Sequence, residues 1–175
     1  HKVFLLNKPH GVISTCQDNN GRKTILDLIP TNLRSGIHPV GQLDSDSRGA
    51  ILLTNNGDLT LRLTHPKYSN AKTYLVCVSG KPPQVTLKKW REGILLDAKM
   101  TMPANIEVMK TINNNALLKV ILKEGRNRQI RRIANLLGHP VQDLQRIAIS
   151  NIKLNVLQEG KWRELKTNEW ISLID

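Results

Sequence analysis

Apolar positions in this chain fall into short runs and alternations, never into long uninterrupted stretches. Val3-Phe4-Leu5-Leu6 is a continuous apolar run closed by Asn7-Lys8-Pro9, the form of a short buried strand. Turn chemistry follows at Asp18-Asn19-Asn20-Gly21-Arg22. Residues 24–29 read as a short helix, with Thr24 as N-cap and Pro30 as its stop. Residues 51–53 are a second apolar strand. Asn55-Asn56-Gly57 then turns the chain, and Asp58 is placed to cap a helix carrying Leu59, Leu61 and Leu63. Residues 73–78 alternate and are β-rich. Pro83 suits the first turn of a helix that runs through Trp90 and is ended by Gly93. Residues 106–109 and 117–122 read as strands around Asn113-Asn114-Asn115. After Gly125, Ile130, Ile133, Ala134 and Leu137 recur at i, i+3, i+4, i+7, which predicts an amphipathic helix closed by Gly138. The tail holds short strands near 152–154 and 171–173.

Strands outnumber helices in this reading, and their connections are hairpin-like as often as helical. That pattern favours an α+β architecture with a mixed, largely antiparallel sheet over a doubly wound one. No internal repeat, low-complexity segment or clear linker interrupts the 175 residues, a normal size for one domain with a substantial core.

Charge changes the picture. The chain carries 26 Lys+Arg against 14 Asp+Glu, a net charge of +12, which attracts phosphate backbones or anionic membranes. No apolar stretch approaches the ~20 residues of a membrane span, and no secretory signal opens the chain, so no membrane insertion is expected. Cys16 and Cys77 are far apart, and the five histidines lack ligand spacing. The sequence thus predicts no metal, and the cysteines fit a reducing cytoplasm.

Two segments carry candidate chemistry. In Val40-Gly41-Gln42-Leu43-Asp44-Ser45-Asp46-Ser47-Arg48-Gly49, carboxylates sit in a small polar loop whose far end enters the 51–53 strand. The second segment is Lys123-Glu124-Gly125-Arg126-Asn127-Arg128-Gln129-Ile130-Arg131-Arg132, in which five of ten residues are basic. Gly125 and Asn127 would leave free backbone N–H groups at the start of its helix, a natural phosphate seat. An acid loop and a basic helix on one cationic domain point to an enzyme acting on a polyanion.

These segments resemble the RsuA/RluB/RluE/RluF family of ribosomal RNA pseudouridine synthases. The family's Gly-Arg-Leu-Asp motif, with its later Leu-Thr-Asn, is matched by Gly41-Gln42-Leu43-Asp44 and Leu53-Thr54-Asn55. Its Lys-x-Tyr strand is matched by Lys72-Thr73-Tyr74, and its Glu-Gly-Arg-Asn-Arg-Gln-Ile-Arg-Arg by Glu124 to Arg132. Further agreement lies at Asn7-Lys8-Pro9-x-Gly11, His65-Pro66, Leu136-Leu137-Gly138-His139 and Leu144-x-Arg146.

The resemblance implies the pseudouridine synthase fold: a bent sheet in two halves, divided near residues 65–72, with flanking helices and a central cleft. It implies one catalytic domain over 1–175, with the family's small N-terminal RNA-binding domain outside this chain. Asp44 takes the catalytic aspartate's place, Arg131 that of its ionic partner, and Tyr74 that of the tyrosine that stacks on a flipped base or relays a proton. Gln42, Lys72, Arg126, Asn127, Arg128, Ile130 and Arg132 are the expected substrate and RNA contacts. Ile130 packs on the uracil face, and Arg132 reaches an RNA phosphate. Gln42 departs from the family's arginine, and Arg48, Ala50 and Asn56 replace commoner Glu, Leu and Asp residues.

The implied reaction turns uridine into pseudouridine with no net gain or loss of electrons or groups. It therefore demands no redox cofactor, nucleotide or metal. Expected partners are ribosomal RNA, with the large subunit favoured, or an assembling subunit, met by a cytoplasmic monomer. One competing reading is a catalytically silent RNA-binding module in ribosome assembly. It predicts loss of Asp44, Tyr74 or Arg131, and all three are present. Another is a metal-dependent nuclease using Asp44 and Asp46, for which the basic segment supplies only Glu124 as a further acid.

Overall fold

The computed structural model describes residues 1–175. In chain order its regular elements are β1 (Val3–Lys8), β2 (His38–Pro39), β3 (Arg48–Thr54), α1 (Gly57–Thr64), β4 (Lys72–Ser79), α2 (Gln84–Glu92), β5 (Leu95–Leu96), β6 (Lys99–Met100), β7 (Asn105–Ile112), β8 (Asn115–Leu122), α3 (Gln129–Leu136), β9 (Val141–Ile149), β10 (Ile152–Lys153), β11 (Trp162–Glu164) and α4 (Thr167–Trp170). Short 3-10 turns occupy Ile25–Leu28, Thr31–Leu33 and Ile171–Leu173. No helix is long and apolar enough to cross a membrane. The chain divides into two compact units, one formed by residues 1–68 and 147–175, the other by residues 69–146.

The first unit is organised by β1, which is buried along its whole length. It pairs antiparallel with β3, from Val3↔Thr54 to Lys8↔Gly49, and on its other edge with β11. Side chains alternate across a strand, so β1 feeds two clusters. Val3 and Leu5 join Ala50, Leu52, Leu59, Leu63 and Trp170. Phe4 and Leu6 join Ile25, Ile29, Ile37, Leu43, Ile51 and Leu53. Helix α1 covers the first cluster with Leu59 and Leu63, one turn apart. Leu61, two residues from each, is exposed, because i and i+2 do not share a helix side. The cap of α1 is Asn56, not Asp58: its carboxamide accepts from the N–H groups of Asp58 (3.1 Å) and Leu59 (3.2 Å).

The second unit is an antiparallel arrangement of β4, β8 and β7, with Lys72↔Leu122 through Ser79↔Asn115 between the first two. Tyr74, Val76 and Val78 face the core with Ala116, Leu118, Val120 and Leu122. Helix α2 contributes Leu87 and Trp90 to that core, and α3 contributes Ile130, Ile133 and Ala134. The predicted ends of α2 hold, with Pro83 as N-cap and Gly93 as C-cap at φ 122°.

The ladders β1–β3, β1–β11, β2–β3, β4–β8, β7–β8, β5–β6 and β9–β10 are antiparallel, and the α+β reading stands. Two segments depart further from the sequence reading. Residues 171–173 form a 3-10 turn instead of a strand: the Glu169 carboxylate accepts from the Lys166 N–H (2.7 Å) and starts α4, which the turn then extends. Strand β9 was not expected, because Gln142, Asp143, Gln145 and Arg146 hide its alternation. It carries the chain back into the first unit after Arg146.

The double coverage of β1 and β3 predicts where stability lies. Leu52→Ala, at a fully buried site, should cost about 2–5 kcal/mol. Leu61→Ala, on the exposed side of α1, should stay within about 0.5 kcal/mol. Urea denaturation midpoints of the two variants test this ordering; equal shifts would show that the cluster does not carry the fold.

Candidate active site

In the first unit, Asp44 stands on a loop pinned at nearly every residue. The Val40 N–H donates to the Leu52 carbonyl (2.8 Å), so the loop leaves β2 still attached to β3. Gly41, at φ +70°, makes the bend. Leu43 is buried among Ile51 and Leu53. Its N–H donates to the Ser14 hydroxyl (3.1 Å), and its carbonyl accepts from the same hydroxyl (2.5 Å). The Ser47 N–H closes a turn on the Asp44 carbonyl (2.9 Å), and the Gly11 N–H donates to the Ser45 carbonyl (2.6 Å).

The segment beneath is rigid in turn. Lys8 is fully buried, and its ammonium donates to the carbonyls of Val12 (2.7 Å) and Pro9 (3.0 Å). Asp44 is therefore half-buried on a preorganised loop, while Gln42 is exposed. Asp46 is half-buried as well.

In the second unit, Lys72 and Tyr74 open β4. Tyr74 is 8% exposed and belongs to the same apolar cluster as Ile130. The basic segment departs from the helix expected after Gly125. Helix α3 begins only at Gln129, after Arg128 in the left-handed conformation (φ 51°, ψ 35°).

The cause is Gln129, whose buried carboxamide accepts from the Arg126 N–H (3.2 Å) and donates to the Glu124 carboxylate (3.1 Å). Glu124 also accepts from the Met102 N–H. The amides of Gly125 and Asn127 therefore belong to a loop and not to a helix start. Asn127 and Arg128 are exposed, and Arg131 is half-buried.

Two of the arginines are engaged within the unit. The Arg126 guanidinium donates to the carbonyls of Leu96 and Lys99, on the β5–β6 turn. Arg132 pairs with Asp97 on the same turn (2.5 Å) and donates to the Asn127 carbonyl (3.1 Å). That hydrogen bond from Arg132 holds the Asp97 carboxyl below the usual carboxylate range.

Lys72 is in a different state. Its ammonium makes no hydrogen bond or ion pair, and a Cβ on Gly125 would lie 3.5 Å from its Nζ. Burial, and then the charge of the buried Arg146, push its pKa below the ordinary lysine range. A desolvated ammonium with no acid at its tip favours an anion beside it.

Residue roles missing from the sequence reading are those of Lys8, Ser14, Asp97, Gln129 and Arg146. A lysine closing an apolar run, and Leu144-x-Arg146 among the matched motifs, were the available signals.

Residues 2–136 match the RNA pseudouridylate synthase family, and the chain belongs to it. It is 40% identical over 168 residues to the ribosomal large subunit pseudouridine synthase B of Bacillus subtilis, covering 95% of this chain and 68% of that one. It is 37% identical over 179 residues to the ribosomal large subunit pseudouridine synthase E of Vibrio parahaemolyticus, covering 94% and 74%. A solved structure, described as a crystal structure of pseudouridylate synthase, shares the fold at TM-score 0.88 and 32% identity, over 98% of this chain and 73% of that chain. The chain is thus an isomerase of the pseudouridine synthase class.

The state of Lys72 has a measurable consequence. Its folded pKa lies below the unfolded one, so folding disfavours the charged form, and this penalty fades as pH rises through the window between them. A phosphate seated beside Lys72 would restore the charge. At alkaline pH within that window, RNA binding should take up a fraction of a proton. Calorimetry in two buffers of different ionisation heat should show the uptake for wild type and not for Lys72→Met. Equal uptake in both proteins would mean that no phosphate meets Lys72.

Proposed function

We propose that this chain isomerises a uridine of large-subunit ribosomal RNA to pseudouridine, acting as a cytoplasmic monomer on the RNA or on an assembling subunit. The observation that carries the reading is the family match over residues 2–136, which spans Asp44, Tyr74 and Arg131. The relatives named large-subunit synthases B and E support the choice of subunit. No observation favours the catalytically silent RNA-binding module.

In the proposed reaction the bond from uracil N1 to the ribose C1′ breaks, and a bond from C5 to C1′ forms. C5 gives up a proton and N1 gains one, so the balance closes without a redox or group donor. Asp44 supplies the carboxylate on its pinned loop. Arg131 is its ionic partner, which keeps the acid ionised and orients it through the guanidinium fork. Tyr74 meets the flipped base, and Ile130 packs on the uracil face. Lys72 holds phosphate with the exposed Asn127 and Arg128. Arg126 and Arg132 serve RNA binding mainly by shaping the loop they tie down.

Two variants test the assignment. Asp44→Asn keeps the shape and loses the charge; single-turnover isomerisation should fall at least about 100-fold, with RNA affinity nearly unchanged. Wild-type turnover in that variant would remove Asp44 from the mechanism. Arg131→Lys keeps the charge and loses the fork, so activity should fall about 100-fold through misplacement, while the melting temperature moves little. Mapping pseudouridine in ribosomal RNA from a strain lacking the protein identifies the uridine; a complete, unchanged set of sites would end the reading.

A further inference from the structure

The first unit also carries a concave surface. It is a depression of about 490 Å³ beside the Asp44 loop, lined by Thr15, Cys16, Gln42, Thr60 and Thr64, with Pro39 at its wall. That volume falls in the range of small-ligand sites, ~300–1,000 Å³. No charged side chain lines it, on a chain of net charge +12. A phosphate is therefore not its ligand. No aromatic ring lines it either, so it is not a stacking platform.

Its lining instead offers neutral hydrogen-bonding groups. The Gln42 carboxamide is exposed and makes no hydrogen bond within the protein, leaving two donors and an acceptor free. The Thr64 hydroxyl donates to the Thr60 carbonyl (2.6 Å), and its lone pairs still accept. The Thr60 hydroxyl is fixed by His38 Nε2 (3.0 Å). The backbone beneath Gln42 is held between the Val40–Leu52 and Leu43–Ser14 hydrogen bonds. Gln42 therefore projects an unengaged amide from a held backbone, two residues from Asp44.

We propose that this depression is a base-reading subsite, in which Gln42 pairs edge-on with an unpaired adenine close to the target uridine. The assignment rests on the RNA isomerase reading above. An amide in a neutral, hydroxyl-lined hollow suits a base edge, and glutamine matches the donor–acceptor pair of adenine in a bidentate contact. A cation at this position would bind RNA of any sequence through phosphate; the neutral amide makes the chain selective instead.

The experiment uses an RNA fragment around the uridine mapped in the deletion strain. Each adenine near the target is replaced in turn by purine, which lacks the 6-amino group. For wild type, one replacement should lower kcat/KM by roughly 10- to 100-fold. Gln42→Ala should lose a similar factor on the natural fragment and become indifferent to that replacement.

A second readout is independent of turnover. In a Cys77→Ser background, Cys16 is the only thiol. Saturating RNA should slow its alkylation by iodoacetamide at least tenfold. Either outcome would overturn the subsite: no adenine whose replacement is felt by wild type and ignored by Gln42→Ala, or Cys16 alkylated equally fast with and without RNA. If wild type converts uridine in the same samples while Cys16 stays unprotected, the subsite fails and the isomerase reading stands. If wild type converts no uridine, the isomerase reading fails, and the subsite with it.

Discussion

A strand with apolar side chains on both faces has to be covered twice, and β1 is such a strand. Its antiparallel pairing with β3 forces Ala50 and Leu52 to one side and Ile51 and Leu53 to the other. One cover is α1 with the C-terminal segment. The other is assembled from loops, and Ile37 and Leu43 belong to it. The loop that bears Asp44 is therefore also part of a core lid. Moving it would expose Leu43 and break the Ser14 hydrogen bonds. A carboxylate on a loop gains in this way the positional precision usually supplied by a helix or strand.

The second unit reaches the same end with charge. The strongly one-sided α3 buries Ile130, Ile133 and Ala134 and turns its arginines away from that core. The arginines of the 124–132 segment are not equivalent. Arg126 and Arg132 are held by the carbonyls and the carboxylate of the β5–β6 turn. They act as struts for the 124–128 loop, whose left-handed Arg128 would otherwise be an unfavourable conformation. The count of basic residues therefore overstates the number of groups ready for phosphate. Lys72, a single lysine beside a buried arginine, instead carries a desolvated charge with no acid at its ammonium.

Much of this was legible from local pattern. The run 3–6, the alternation at 73–78 and the helical spacing from Ile130 to Leu137 each named an element correctly, because burial imposes a period on neighbouring residues. The errors came where polar side chains served backbone groups. Asn56 took the cap expected of Asp58, Gln129 delayed α3 by folding back on the Arg126 amide, and Glu169 turned an apolar tail into a helix. A side chain that satisfies backbone N–H groups leaves no periodicity to read.

By itself the sequence determined the family and the α+β class. It also named Asp44, Tyr74 and Arg131 as candidates, because ordered motifs and strand periods are properties of the chain alone. Tertiary structure decided which charges are spent on the fold and which remain. Arg126 and Arg132 are consumed by a turn some thirty residues earlier in the chain, Lys8 is buried on loop carbonyls, and Lys72 is left without an acid. No local pattern carries that outcome. A charge's partner and its burial depend on groups that only folding brings within a few ångströms, where Coulomb and desolvation energies become large.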